Sequence, residues 1–249
     1  DHPVFTVADG LLWLYQSTER NSIVRRLQIM KMGGQGSVPG LHTFRISENG
    51  LQTFPRTFGL TQGATHVKGK RRLSTGLGKL DVLMGGGIPE GDSLLLAGPS
   101  GAGKSIIGSQ FIEEGLRRKE PGIVAIFEEI PSEYVERAAT FGIDLTTPQQ
   151  KGLLKIIYLR PLDLSVDETA QEIVNSVRAI GCKRLVIDSL VGLEMALAPG
   201  FRADFRESLY RMIAALTRLG VTIVSTVEVE ESFTSMGLSN YAVSFLADD

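Results

Sequence analysis

Cysteine is nearly absent from this chain. Of 249 residues only Cys182 carries a thiol, so no internal disulfide can form and a reducing, cytoplasmic setting is the natural expectation. The three histidines, His2, His42 and His66, are scattered and have no cysteine companion, which sets a structural zinc site aside. Excess charge of one sign is also lacking. The 26 Lys and Arg against 28 Asp and Glu leave a formal net charge of -2, so no overall field draws the chain to nucleic acid or to an anionic membrane. No apolar run approaches the roughly 20 residues of a membrane-crossing helix, and no signal-like stretch opens the chain, so a membrane partner is not expected. What is present is ordinary for a globular protein: 43% apolar and 22% charged residues, in a chain long enough to bury a sizeable core.

Against this plain background stands Gly98-Pro99-Ser100-Gly101-Ala102-Gly103-Lys104-Ser105. It follows the apolar run Ser93–Ala97 and opens onto Ile106–Ile112, whose apolar spacing suits a helix. Strand, glycine-rich turn and helix start, in that order, are the setting in which G-x-x-x-x-G-K-[ST] binds phosphate. The tight turn directs backbone N–H groups inward, and the helix N-terminus adds partial positive charge at the same point. Lys104 is placed to reach the β- and γ-phosphates of a nucleotide, and the Ser105 hydroxyl to bind Mg²⁺.

The chain divides by composition. Strands are expected at Leu11–Tyr15, Val24–Met32, His42–Ile46 and Leu51–Phe54, joined by turn residues such as Glu48-Asn49-Gly50, forming an N-terminal antiparallel meander. With one face to bury, such a meander is expected to pack at the edge of a larger sheet. Residues 57–70 are polar and aperiodic and read as a linker. From Arg71 onward the character changes. A short helix is expected at Leu77–Met84, then strands at Ser93–Ala97, Ile123–Phe127, Leu154–Tyr158, Arg184–Ile187, Val221–Thr226 and Val243–Ala247. Between them lie helical patterns at Lys104–Arg118, Ser132–Phe141, Val166–Ile180 and Ala203–Leu219. Strands alternating with helices of this length imply βαβ units and a mainly parallel sheet flanked by helices.

Two further places carry chemistry. Asp188 ends the apolar run Leu185–Ile187, and a carboxylate at the C-terminal end of a buried parallel strand lies where such sheets bind ligands, suited to a Mg²⁺ water shell. Glu128 and Glu129 follow the run Ile123–Phe127, where one of them could orient and deprotonate an attacking water. Because neighbours on an extended chain point oppositely, one of the two is expected to face the phosphate. The alternative is that they serve the helix beyond Pro131, where acids complement the macrodipole. Glu228, Glu230 and Glu231 read as a solvated loop.

With these residues assembled, the chain resembles the KaiC family of RecA-like P-loop ATPases. The matching stretches are Ser74-Thr75-Gly76 through Leu80-Asp81 to Gly85-Gly86-Gly87-Ile88-Pro89, the phosphate loop, Phe127-Glu128-Glu129, Ile187-Asp188-Ser189 and Leu246-Ala247-Asp248. The resemblance implies an α/β, RecA-like ATPase core over 71–249 and, in 1–56, the C-terminal β-rich tail of a preceding KaiC-type domain. A weak internal echo, Tyr241–Asp248 laid over His2–Asp9, agrees with that division. The resemblance further implies ATP and Mg²⁺ as cofactors and a hexameric ring with ATP between subunits. The role implied is that of a signalling or timing regulator read by protein partners.

Residue by residue, Glu128 and Glu129 match the family's paired catalytic glutamates, and Lys104, Ser105 and Asp188 its phosphate and magnesium residues. The family also sets a lysine and an arginine two positions apart on a tail strand to reach the neighbour's nucleotide. Lys31 matches the lysine, whereas Gly33 occupies the arginine's place. Family autokinase activity acts on an adjacent Ser-Thr pair, where this chain has Ser244-Phe245. Ser244 stands as a candidate phosphosite beside its reading as a small residue packed in a strand. Two other classes are weighed: a recombinase-like DNA-binding ATPase, disfavoured by the acidic loop around Glu228 to Glu231, and a nucleotide-binding scaffold with negligible turnover.

Overall fold

The computed structural model describes residues 7–19, 22–48, 50–56, 71–159, 165–197 and 205–229. Ser244, Glu230, Glu231 and the strand expected at Val243–Ala247 lie outside them.

The N-terminal strands are β1 (Gly10–Glu19), β2 (Ser22–Met32), β3 (Leu41–Ser47) and β4 (Gly50–Phe54), antiparallel in the order β1-β2-β3-β4. Each was legible from its alternation, with ends displaced by up to a few residues. Their expected place at the edge of a larger sheet is not what the structure shows. The meander forms a sheet of its own, and reaches the rest of the molecule through side chains instead. Val24 joins the main apolar core, Arg45 pairs with Glu168 at 3.0 Å, and Arg56 pairs with Glu207 at 3.3 Å.

The second sheet contains β7 (Ser93–Gly98), β8 (Gly122–Ile126), β9 (Leu154–Tyr158), β10 (Arg184–Asp188) and β11 (Thr222–Glu228). All are parallel, in the order β7-β11-β10-β8-β9. A two-stranded hairpin of β5 (Arg72–Leu73) and β6 (Ile88–Pro89) encloses α1 (Gly78–Leu83) ahead of the sheet. The main helices are α2 (Lys104–Arg117), α3 (Pro131–Thr140), α5 (Val166–Ile180) and α7 (Phe205–Arg218), with short α4 (Thr146–Gln150) and α6 (Leu190–Ala196) between them. The hairpin, α4 and α6 are too short to show a period in the sequence.

Strand alternation sorts the core onto two faces. Ile123 and Ala125 pack with Ile173, Val174, Leu193 and Leu209 of α5, α6 and α7, while Val124 and Ile126 pack with Phe111, Ile112, Tyr134 and Ala138 of α2 and α3. Apolar residues on both faces are what a sheet covered by helices on each side requires. The helix ends are equally well specified for α5. Ser165 accepts from the Glu168 N–H at 3.1 Å, Asp167 and Glu168 occupy the first turn, and Gly181 closes the helix in the left-handed region.

A charged residue holds the centre of this region together. The Arg184 side chain is wholly buried; its Nε donates to Glu120 at 2.9 Å, and its Nη1 donates to the carbonyls of Ser74 at 2.7 Å and Phe111 at 2.9 Å. Its guanidinium lies 4.6 Å above the Phe111 ring. Burial opposes ionisation of Glu120, yet Arg184 and Arg71 together hold its carboxyl below the ordinary range. Gly115 is required beside this cluster, because a Cβ there would sit 2.4 Å from Arg184 Cδ.

Candidate active site at the C-terminal edge of the parallel sheet

Parallel strands put all their C-terminal ends on one edge, which is where open α/β sheets collect ligands. Residues 98–105 run from the last residue of β7 to the start of α2. Gly101 and Gly103 have φ of 77° and 87°, a backbone region open to glycine at no steric cost, and Gly103 is the N-cap of α2 without any side-chain cap. Pro99 accepts from the Ala102 N–H at 3.3 Å, so the turn closes on itself around Ser100. Lys104 folds back over the loop, its Nζ donating to the carbonyls of Gly98 at 2.9 Å and Pro99 at 2.7 Å. An ammonium group is thereby held at the mouth of a backbone cradle that follows a buried strand and opens a helix.

Asp188 ends β10, separated from β7 by β11 alone. Ile187 is level with Ser225, and Ser225 with Leu95, so Asp188 lies just below the level of the loop's first glycine. Thr226 Oγ1 donates to Asp188 Oδ1 at 2.6 Å. The other oxygen, Oδ2, is buried and has no hydrogen-bond partner among the described residues, and the nearest cation is Arg137, whose Nη2 is 3.9 Å away. A buried carboxylate oxygen left without a donor is costly unless something else engages it.

Glu128 and Glu129 fall in a bend beyond the end of β8, so strand alternation no longer governs them. They nonetheless turn to different neighbours, Glu128 to Ser189 ahead of α6 and Glu129 to Arg137 of α3, helices packed on opposite faces of the sheet, in agreement with the expectation that they point oppositely. Glu128 Oε1 accepts from Ser189 Oγ at 2.7 Å, and that oxygen in turn accepts from the Gly192 N–H at 3.0 Å, capping α6. Glu129 Oε1 accepts from Arg137 at 2.6 Å. Burial pushes the Glu129 carboxyl above its ordinary range, Arg137 opposes this, and the nearby Asp188 charge adds to it.

The structure thus collects Glu128, Glu129 and Asp188 around the end of β10, beside the phosphate loop of residues 98–105. Lys31 stands elsewhere, at the end of β2 on the meander, with its Nζ donating to the Ala8 carbonyl at 2.7 Å. Sequence reasoning did not identify Arg137, Tyr134, Ser109 or Thr226. A hydroxyl ending the apolar run Val221–Thr226 was a readable signal for Thr226, and the other three had none.

A family model described as "ATPase: KaiC" matches residues 73–246, about 70% of the chain. The chain belongs to the KaiC family of ATPases. The Circadian clock oscillator protein KaiC of Picosynechococcus sp. is 31% identical over 188 residues, covering 75% of this chain and 36% of that protein. Circadian clock oscillator protein KaiC 1 of Synechocystis sp. is 30% identical over the same length, with 36% of it covered, and KaiC of Parathermosynechococcus lividus 32%, with 34% covered. The chain therefore spans about a third of the length of these KaiC relatives. The mixed α/β architecture, with its five-stranded parallel sheet, is that of a RecA-like KaiC domain. Among the described residues no helix is long and apolar enough to cross a membrane.

Proposed function

We propose that this chain binds ATP with Mg²⁺ at residues 98–105 and hydrolyses it. The observation that carries the reading is Asp188. Its Oδ1 is fixed by Thr226 while its buried Oδ2 is left without a donor, beside a phosphate loop whose lysine is already folded over the cradle. No group of three or more His, Cys, Asp or Glu side chains among the described residues could hold a metal by itself. The donor set nonetheless fits a hard cation shared with phosphate oxygens: the Ser105 hydroxyl, the Asp188 carboxylate and water. When bound, Mg²⁺ neutralises charge on the β- and γ-phosphate oxygens.

The chain's own residues do the rest. Backbone N–H groups of Gly101 to Ser105 and the Lys104 ammonium hold and orient the phosphates. Glu128 and Glu129 position a water in line with the γ-phosphorus and take its proton as the bond to the ADP oxygen breaks. We extend the proposal to assembly as a hexameric ring with nucleotide between subunits, in which Lys31, on the tail of the preceding domain, serves that domain's nucleotide rather than the one held by Lys104. A regulatory role read by protein partners and autokinase activity at Ser244 rest on family membership, and the relatives' names as clock oscillator proteins support the timing reading.

In a Glu128→Gln, Glu129→Gln double variant, turnover falls by roughly 100-fold or more, since general acid–base catalysis contributes about that much. ATP affinity is retained, and chelating the metal abolishes turnover in the wild type. Turnover that survives both treatments refutes the proposal, and native mass with and without Mg-ATP tests the ring.

Gly192→Ala probes the same site from behind. An added Cβ would fall 2.7 Å from Glu128 Oε1 and 2.8 Å from its Cγ, so the glutamate must move. Turnover drops by about tenfold or more, as a displacement near 1 Å can cost more than that. ATP affinity changes little, which a binding titration run beside the kinetic assay will show.

A further inference from the structure

Arg137 belongs to none of the motifs, yet it makes one of the two shortest contacts in the site. It stands on α3 with its Nη2 2.6 Å from Glu129 Oε1 and 3.9 Å from Asp188 Oδ2. Its guanidinium carbon is 5.1 Å from the centroid of the Tyr134 ring. Tyr134 is wholly buried, and its hydroxyl is hydrogen-bonded at 3.0 Å to Ser109 Oγ. Ser109 lies one turn beyond Ser105 on α2 and donates to the Ser105 carbonyl at 2.9 Å. A continuous series of contacts therefore joins the end of the phosphate loop to the glutamate, through Ser109, Tyr134 and Arg137.

An exposed ion pair contributes little, and the Arg137 side chain is 40% exposed. Two features separate this pair from an ordinary surface contact. The guanidinium is planar and rests on the ring of Tyr134, whose hydroxyl is hydrogen-bonded to Ser109 of α2, which limits its orientation. It also stands between two carboxylates on different elements, Glu129 after β8 and Asp188 on β10, so its charge serves both.

We infer that Arg137 is a positioning residue for ATP hydrolysis: braced on Tyr134, it fixes the Glu129 carboxylate relative to the phosphate loop and to Asp188. The inference rests on the reading of Glu129 as one of the water-activating pair. Arg137 acts through Glu129 and has no part in binding the nucleotide.

The test compares Arg137→Met and Arg137→Lys with wild type for kcat, ATP Kd and melting temperature, with the Glu128→Gln, Glu129→Gln variant in the same assay. Methionine keeps an unbranched stem over Tyr134 and removes the charge. In Arg137→Met, kcat falls about tenfold while ATP Kd and melting temperature stay near wild type. Arg137→Lys recovers part of the loss, because an ammonium can pair with Glu129 but lacks the planar fork. A kcat within twofold of wild type in Arg137→Met overturns the inference. So does a kcat loss matched by an equal loss of ATP affinity or by a large fall in melting temperature, either of which assigns Arg137 to the fold alone. Wild-type turnover that is absent, or that survives the double glutamine substitution, refutes the hydrolytic reading itself and is distinguishable from failure of Arg137 alone.

Discussion

Lys104→Ala is expected to lower ATP turnover by about 10²- to 10³-fold, the usual cost of removing one preorganised charge from a site of developing negative charge. ATP affinity weakens as well, because the same ammonium contacts the phosphates before reaction. Two consequences are combined in this substitution. Lys104 Nζ also braces the loop through the carbonyls of Gly98 and Pro99, so its removal loosens the cradle before any nucleotide arrives. Loss of such bonds costs the free protein about 1 kcal/mol, measurable by urea denaturation. A steady-state assay that finds turnover within threefold of wild type would remove the phosphate loop from the mechanism.

The second large effect concerns stability. Arg184→Ala is expected to cost about 3–5 kcal/mol, because it leaves Glu120 in a largely buried place with only Arg71 to pair it. It also frees the carbonyls of Ser74 and Phe111 and opens a cavity over the Phe111 ring. Since domains are stable by only about 5–15 kcal/mol, a substantial part of the folding free energy is at stake. Arg184→Met, which fills most of the volume, still strands Glu120, and Arg184→Met with Glu120→Leu is expected to recover much of the loss. A denaturation midpoint that hardly moves in Arg184→Ala would show that the buried pair contributes nothing.

How much of this could be read beforehand depends on the distance over which each feature is encoded. The phosphate loop is a contiguous run whose every residue has a local reason, and Asp188 is marked by the apolar run it ends. The antiparallel meander was legible because alternation and turn residues are local as well. Its docking was not, since that depends on Val24 joining the main apolar core and on Arg45 and Arg56 finding Glu168 and Glu207, far away in the chain. The partners of Glu128 and Glu129 were not legible, because they depend on where Ser189 and α3 come to lie beside the end of β8. Arg137 and Tyr134 read as ordinary residues of an amphipathic helix. Their contacts with Glu129 and Ser109 depend on how α3 lies against α2, which no spacing encodes. Arg184 opens an expected apolar strand with no local mark of its role, because packing alone turns it inward.

The order of the parallel sheet bears on how the protein is made. Among the described residues, β7 hydrogen-bonds to β11 and to no other strand, and β11 is the last described strand to leave the ribosome. The phosphate loop and α2 therefore emerge before the strand they need, attached to a strand whose leucines, Leu94, Leu95 and Leu96, wait for their sheet neighbour while β8, β9 and β10 are made. Pairing across so long a stretch of chain is slow, and the waiting strand is open to wrong partners meanwhile. The Thr226–Asp188 clasp closes at the same late step, so nascent chains that already carry the whole phosphate loop are still unable to form the site.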